Sequence, residues 1–242
     1  ECLGRYFYVM RSYAKAAEHL ERAREYALAA GSIRKGHPDI VNLTGQIGLS
    51  LLRLGAQSFD VARGYLQEAT LLTRQMNRSR LNDLTLAAHL SNLGTLELED
   101  HHPARARDLF EEALKICLEL LGEQHPSIGP YYTNLGFAQQ QLGNHHEAQR
   151  HYRRSVDLYR ESVGVRHQAY IEAELNYLES FFRSNSLPDS LVKKTEELTG
   201  QALRLFDDII SFGTERQRLN WLRENHLLTI PCSLGQDPEL IS

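Results

Sequence analysis

The sequence predicts an all-α solenoid of stacked helical hairpins. Three observations carry this: a 42-residue self-similarity, apolar residues three and four apart, and glycines and prolines placed where helices end and begin. The period is read first. Asn92-Leu93-Gly94 is followed by Ala106, Phe110 and Ala113, and Asn134-Leu135-Gly136 is followed at the same spacings by Ala148, Tyr152 and Ser155. Towards the N-terminus, Ile47-Gly48 precedes Ala62, Leu66 and Ala69 with two extra residues between, and Leu3-Gly4 precedes Ala16, Leu20 and Ala23 with none. Asn176-Tyr177 opens a further copy whose second half is degenerate, so the chain holds four and a half to five copies, the first truncated.

Each element follows from its pattern. Leu109, Phe110, Ala113, Leu114, Ile116 and Cys117 make one stripe of an α-helix, and strand alternation is absent. Gly31, Gly55 and Gly143 stand at helix ends, and Pro38, Pro103, Pro126 and Pro188 fit first-turn positions where a missing N–H costs nothing. Gly48, Gly94 and Gly136 on the first helix of each copy, with Ala16, Ala62, Ala106 and Ala148 on the second, let two backbones approach closely. One hairpin cannot bury its own apolar stripe, so stacking follows.

Composition bounds the function. With 27 basic and 31 acidic residues the net charge is −4, the wrong sign for a protein that grips phosphates. The apolar runs fall far short of the roughly 20 residues needed to span a bilayer, and no basic-then-apolar leader opens the chain. Neither nucleic acid nor membrane is therefore expected as a partner. The chain starts on Glu1 with Leu3-Gly4 already inside a repeat, which implies a piece of a longer protein. Cys2, Cys117 and Cys232 are odd in number and lack CxxC spacing, so a reducing, cytoplasmic setting is expected, without a disulfide framework or zinc site.

The order Leu-Gly, Ala, aromatic or Leu, Ala resembles the tetratricopeptide repeat over about residues 1–210. The long period, with Lys35-Gly36-His37-Pro38 and Gly122-Glu-Gln-His125-Pro126 between hairpins, is similar to the kinesin-light-chain type of that repeat. Gly164-Val-Arg-His167 keeps the His but has Gln168 in place of Pro. The resemblance implies a right-handed superhelix over residues 1–211, with first helices lining its concave groove. In the fifth copy the polar turn Ser184–Ser190 and Lys194, near the place of the small Ala, imply looser packing or a longer, shifted helix.

After Gly213 the period breaks. Thr214 caps a last helix that carries Leu219, Trp221 and Leu222, and residues 212–242 are read as a cover over the apolar end, with a tail leading to an absent domain. Ile209-Ile-Ser-Phe-Gly213-Thr-Glu-Arg-Gln-Arg-Leu219 is similar to the segment by which bacterial tetratricopeptide arrays run into a CHAT domain, a caspase-like cysteine peptidase. That resemblance implies the regulatory arm of such an enzyme.

Catalytic and cofactor chemistry is not expected in the chain itself. His101-His102 and His145-His146 are read as solvated turn residues with no ligand partner at metal spacing. His37, His125 and His167 recur near helix starts, where imidazole caps or packs. Cys117 lies in an apolar stripe, Cys232 has no charge partner, and the glycines are too dispersed for a phosphate loop. Arg105, Arg107, Arg150, Arg153 and Arg154 fall on second helices beside Glu111, Glu112, Glu147 and Asp157, which reads as an ion-paired surface.

Candidate binding residues are amides. Asn92, Asn134 and Asn176 occupy equivalent places on successive first helices, and Gln46 continues the row. Each carboxamide offers two donors and an acceptor to the backbone of an extended segment, a grip indifferent to side-chain sequence. By resemblance, the neighbouring inward positions are Ser91, Thr95, Thr133, Phe137, Gln140, Gln141, Glu172, Glu179 and Arg183. The Lys and Arg with which some members of the family clamp a terminal carboxylate are replaced at those places by Ser, Thr, Asn and Gln. The expectation is a non-enzymatic scaffold holding a peptide or partner protein. The alternative is a structural or oligomerisation module that docks through its convex face or its ends and leaves the groove empty.

Overall fold

The computed structural model of the protein describes residues 2–31, 34–165, 167–183 and 200. All regular structure among them is helical, in agreement with the all-α class. The helices are α1 (Cys2–Val9), α2 (Tyr13–Ala29), α3 (Pro38–Leu52), α4 (Phe59–Gln75), α5 (Arg80–Glu99), α6 (Pro103–Leu121), α7 (Gly129–Gln141), α8 (His145–Ser162) and α9 (Gln168–Arg183). Short 3-10 turns at Ala56–Ser58 and Pro126–Ile128 precede α4 and α7, and the first of these absorbs the two extra residues of the second copy. The chain forms two compact units, residues 1–123 and the residues from 124 on. The first holds the hairpins α1/α2, α3/α4 and α5/α6; the second holds α7/α8 followed by α9. The expected cap at 214–226, Pro188, the turn 184–190, Lys194, Cys232 and the 209–219 segment lie outside the described residues.

The repeat is a knob-in-hole device. A Cβ placed on Gly4 would stand 2.6 Å from Leu20, on Gly48 2.7 Å from Leu66, on Gly94 2.6 Å from Phe110, and on Gly136 2.6 Å from Tyr152. A large side chain of the second helix thus fills the space left by glycine on the first. The helices meet tightly because Ala16, Ala62, Ala106 and Ala148 beneath the crossing are fully buried. Leu66, Phe110 and Tyr152 are sealed at 1% exposure or less, each worth roughly 1.5–3 kcal/mol of burial.

Helix ends follow the sequence signals. Pro38 and Pro103 occupy first-turn positions, and Gly31, Gly55 and Gly143 adopt positive φ where helices terminate. His101 stands at the place of Gly143 one repeat earlier and adopts a φ of 59° without glycine's freedom. The recurrent histidines act as caps. The N–H of Asp39 donates to His37 Nδ1 at 3.3 Å, that of Ser127 to His125 Nδ1 at 3.2 Å, and that of Ala169 to His167 Nδ1 at 3.2 Å. An imidazole lone pair here does the work usually done by a Ser or Asp oxygen.

Successive hairpins bury their remaining apolar faces against one another. Leu20 packs with Ile40, Leu43 and Ile47; Leu52, Phe59 and Leu66 pack with Leu93 and Leu96; in the second unit Val156 and Tyr159 pack with Tyr170, Ile171 and Leu178. Arginines on the second helices of the first unit add polar ties. Arg24 donates to Glu68 at 2.6 Å, Arg74 to Glu112 at 2.7 Å, and Arg63 to Glu97 at 2.8 Å and also to Asp100. Tyr65 donates to Glu21 at 3.0 Å, and its own burial together with that carboxylate pushes the phenol up to about 12.

Two glycines in this fold respond oppositely to the same change. Gly94→Ala drives a methyl into the Phe110 ring and is expected to cost about 1–3 kcal/mol. Gly64→Ala, in the exposed middle of α4 with nothing within 4 Å, is expected to stabilise by about 0.5–1 kcal/mol. Urea midpoints of the two variants, moving in opposite directions from the parent, are the check.

Candidate functional site

The first helices of successive hairpins touch within each unit: α3 meets α5 in the first, and α7 meets α9 in the second. Between α3 and α5 lies a cleft of about 300 Å³. Asn42, Gly45, Gln46 and Leu49 line it from α3, and Leu84, Thr85, Ala88, His89 and Asn92 from α5. Among the described residues no charged side chain lines it. Two members of the expected row, Gln46 and Asn92, therefore share one cavity. Gln46 Nε2 donates weakly to Asn42 Oδ1 at 3.3 Å, whereas Asn92 is half-buried and makes no side-chain hydrogen bond to another described residue.

Helical register explains this wall. Gly48 and Gly94 face their own second helices, so a residue two positions earlier, about 200° around the helix, points away from that seam. Asn134 and Asn176 hold the same register on α7 and α9 and are half-buried. The other expected positions divide. Ser91 and Thr95 lie on α5, where Thr95 Oγ1 donates to the Ser91 carbonyl at 3.0 Å. Thr133 Oγ1 lies 3.0 Å from Ser155 Oγ, and the Phe137 ring meets Tyr152 edge-on at 5.7 Å, so both are drawn to the seam inside the α7/α8 hairpin. Gln140 accepts from the Tyr152 hydroxyl at 3.0 Å and is likewise engaged there, while Gln141 is exposed. Glu172 accepts from Gln168 at 2.6 Å. Glu179 is half-buried on α9, and the Arg183 side chain lies outside the described ones.

The floor of the α3/α5 cleft holds a residue that periodicity did not single out. His89 is 5% exposed, and its Nδ1 lies 3.1 Å from Thr73 Oγ1 on α4. A Cβ on Gly45 would collide with its Nε2, so this glycine serves a histidine rather than a hairpin seam. Burial holds the imidazole below its ordinary value, partly offset by the Ala69 carbonyl. His151, stacked on Tyr132 at 6.3 Å, is also lowered, by burial and then by Arg150.

The remaining histidines need two corrections. His102 does have carboxylate neighbours: its Nδ1 lies 3.3 Å from Asp100 and 3.4 Å from Glu97, because the turn folds it back over the end of α5. His145 and His146 begin α8 instead of occupying the turn. Among the described residues no group of three or more His, Cys, Asp or Glu is placed to hold a metal ion, and no helix is long and apolar enough to cross a membrane. The arginines of the second helices are ion-paired as expected, Arg107 with Asp108 and Glu111, Arg150 with Glu147, and Arg153 with Asp157. Cys117 is buried and Cys2 is exposed.

Comparison with known proteins agrees with this geometry. Residues 85–161 match the tetratricopeptide repeat family. No curated protein sequence matches the chain. Among solved structures, the nearly identical TPR-like repeats of a kinesin light chain-like protein from Podosopora anserina superpose with a TM-score of 0.69 at 16% identity, covering 84% of this chain and 93% of that one. PlcR of Bacillus thuringiensis, in complex with the peptide PapR7 and DNA, gives 0.59 at 14% identity, with 83% and 67% covered. The Rap conjugation gene regulator of plasmid pLS20, in complex with the Phr* peptide, gives 0.54 at 17% identity, with 93% and 62% covered. At these identities the likeness shows the fold: a stack of tetratricopeptide-type hairpins.

The buried imidazole sets a pH dependence. In the folded chain His89 stays neutral to lower pH than in the unfolded chain, where it takes up a proton below about pH 6.5. Its lowered folded value means that stability is full above that pH and is lost as pH falls towards the folded value. The loss reaches at most about 1.4 kcal/mol per pH unit for one proton. Urea unfolding at pH 7.5 and 5.5 is expected to show a smaller difference for His89→Gln than for the parent chain, whatever the variant's absolute stability.

Proposed function

We propose that the protein is a non-enzymatic interaction scaffold that holds an extended peptide segment of a partner protein on the wall formed by its first helices. One observation carries this reading: the α3/α5 cleft is uncharged and lined by carboxamides, with Asn92 unengaged by its neighbours and Gln46 across from it. Such a surface hydrogen-bonds backbone N–H and C=O groups and suits an extended chain of varied sequence. Asn134 and Asn176 offer the same groups on α7 and α9 of the second unit. The peptide complexes of PlcR and of the pLS20 Rap regulator, which share the fold, lend the reading support. In its finer form the scaffold is the sensing arm of a CHAT-type cysteine peptidase of a bacterial cytoplasm. The resemblance of Ile209–Leu219 to the entry of such domains is what supports that form.

The test begins with peptides selected from a random display library on the full chain. For a selected peptide, Gln46→Ala and Asn92→Ala are each expected to weaken binding about five- to tenfold, as befits the loss of one or two hydrogen bonds. Asn134→Ala reports on the second unit in the same way, and Arg74→Ala, on a second helix, serves as the control. Unchanged affinity in the Gln46→Ala, Asn92→Ala double variant overturns the reading.

A second reading, docking through an end of the array, draws on a different observation. Leu3, Tyr6 and Val9 share one face of α1 and are 58%, 55% and 71% exposed. If that face self-associates, replacing all three with Ser is expected to lower the sedimentation-derived mass at high concentration towards that of a single chain.

A further inference from the structure

We propose that His89 is the specificity element of the α3/α5 cleft, a fixed hydrogen-bond acceptor that reads one backbone N–H of the bound segment through Nε2. The inference rests on the peptide-binding reading above and adds to it a required donor at a defined place.

One proton decides which ring nitrogen is the acceptor. Thr73 Oγ1 lies 2.7 Å from the Ala69 carbonyl oxygen and 3.1 Å from His89 Nδ1. A threonine hydroxyl has a single hydrogen, and a carbonyl oxygen only accepts. The hydroxyl therefore donates to Ala69, and its oxygen accepts from Nδ1–H. The Ala69 carbonyl also acts on the ring directly, in the direction of holding a proton. A neutral imidazole with hydrogen on Nδ1 carries its lone pair on Nε2.

Nε2 is aimed at the cleft. It faces Gly45, where any side chain would cover it. It makes no hydrogen bond to a described residue, yet it is not among the buried atoms sealed off without a partner. The ring as a whole is 5% exposed, and Nε2 belongs to that narrow open edge. Asn42, Gln46 and Asn92 around it can turn their carboxamides to give or to accept, whereas Nε2 of neutral His89, with the ring hydrogen on Nδ1, can only accept. A peptide amide satisfies it. A proline or an ester at that position leaves a desolvated acceptor unpaired and is rejected.

The test uses the full chain labelled with ¹⁵N at histidine, His89 being assigned by its loss in His89→Gln. The expected spectrum at neutral pH shows His89 protonated on Nδ1 and bare on Nε2, with Thr73→Val relaxing that preference. Titration with N-methylacetamide is expected to move the Nε2 resonance at least several-fold more than N,N-dimethylacetamide, which lacks the donor. A proton on Nε2, or equal response to the two amides, overturns the inference even where Asn92-dependent peptide binding persists. With a selected peptide, ester replacement of one backbone amide is expected to cost about tenfold in affinity, and no such position overturns the inference as well. Failure to select any Asn92-dependent peptide is a separate readout and overturns the binding reading instead.

Discussion

The structure depends on the closeness with which two helix backbones of one hairpin approach. Glycine on the first helix opens a hole, alanine on the second keeps the crossing thin, and a large residue one turn further fills what the glycine left. The pairs Gly48 with Leu66, Gly94 with Phe110 and Gly136 with Tyr152 repeat this with three different knobs. The hole therefore sets a distance and tolerates several shapes, as expected where volume and patterning matter more than identity. Everything outside the seam is left to face the next hairpin, solvent, or the wall on which the candidate site lies.

That division explains why the site is polar without being charged. Charges in the first unit are spent between hairpins, where Arg63 spans from α4 to Glu97 and Asp100 at the end of α5, and Arg74 reaches Glu112. Glu97 is 4% exposed, so its partners are a structural requirement, Arg63 at 2.8 Å first, with His102 at 3.4 Å and Arg105 at 3.7 Å beyond; a carboxylate without them would have to be desolvated without compensation. The first-helix wall carries no such obligation. Its carboxamides and the imidazole of His89 sit in a partly dry cleft at small cost only because each is neutral.

Much of the fold was legible in the sequence because its determinants are periodic. The glycine and alanine positions, the prolines at 38 and 126 and the capping histidines each recur at a regular offset, and local rules convert them into hairpins. The site was legible in part. Gln46 and Asn92 line one cleft because they share a register, but Thr133 and Phe137 turned out to serve the seam to α8, a distinction of a fraction of a helical turn that the resemblance did not resolve. His89 and Thr73 were not legible. They lie on different helices, occur once each, and become a pair only through the packing of α4 against α5.

The absence of repetition at His89 is itself informative about how such arrays acquire function. Framework residues recur because each hairpin must solve the same packing problem, so a residue that recurs says little about a ligand. A buried histidine present in one copy, matched by a glycine at position 45 that no hairpin seam requires, answers to no packing rule of the repeat. Polar burial of this kind lowers stability unless it is paired, and half of the ring is paired, through Nδ1 to Thr73. The other half faces a cleft lined by amides. Those four features, a single occurrence, a cost to stability, one nitrogen fixed and the other presented, are what support the proposed recognition role of His89 over a purely folding one.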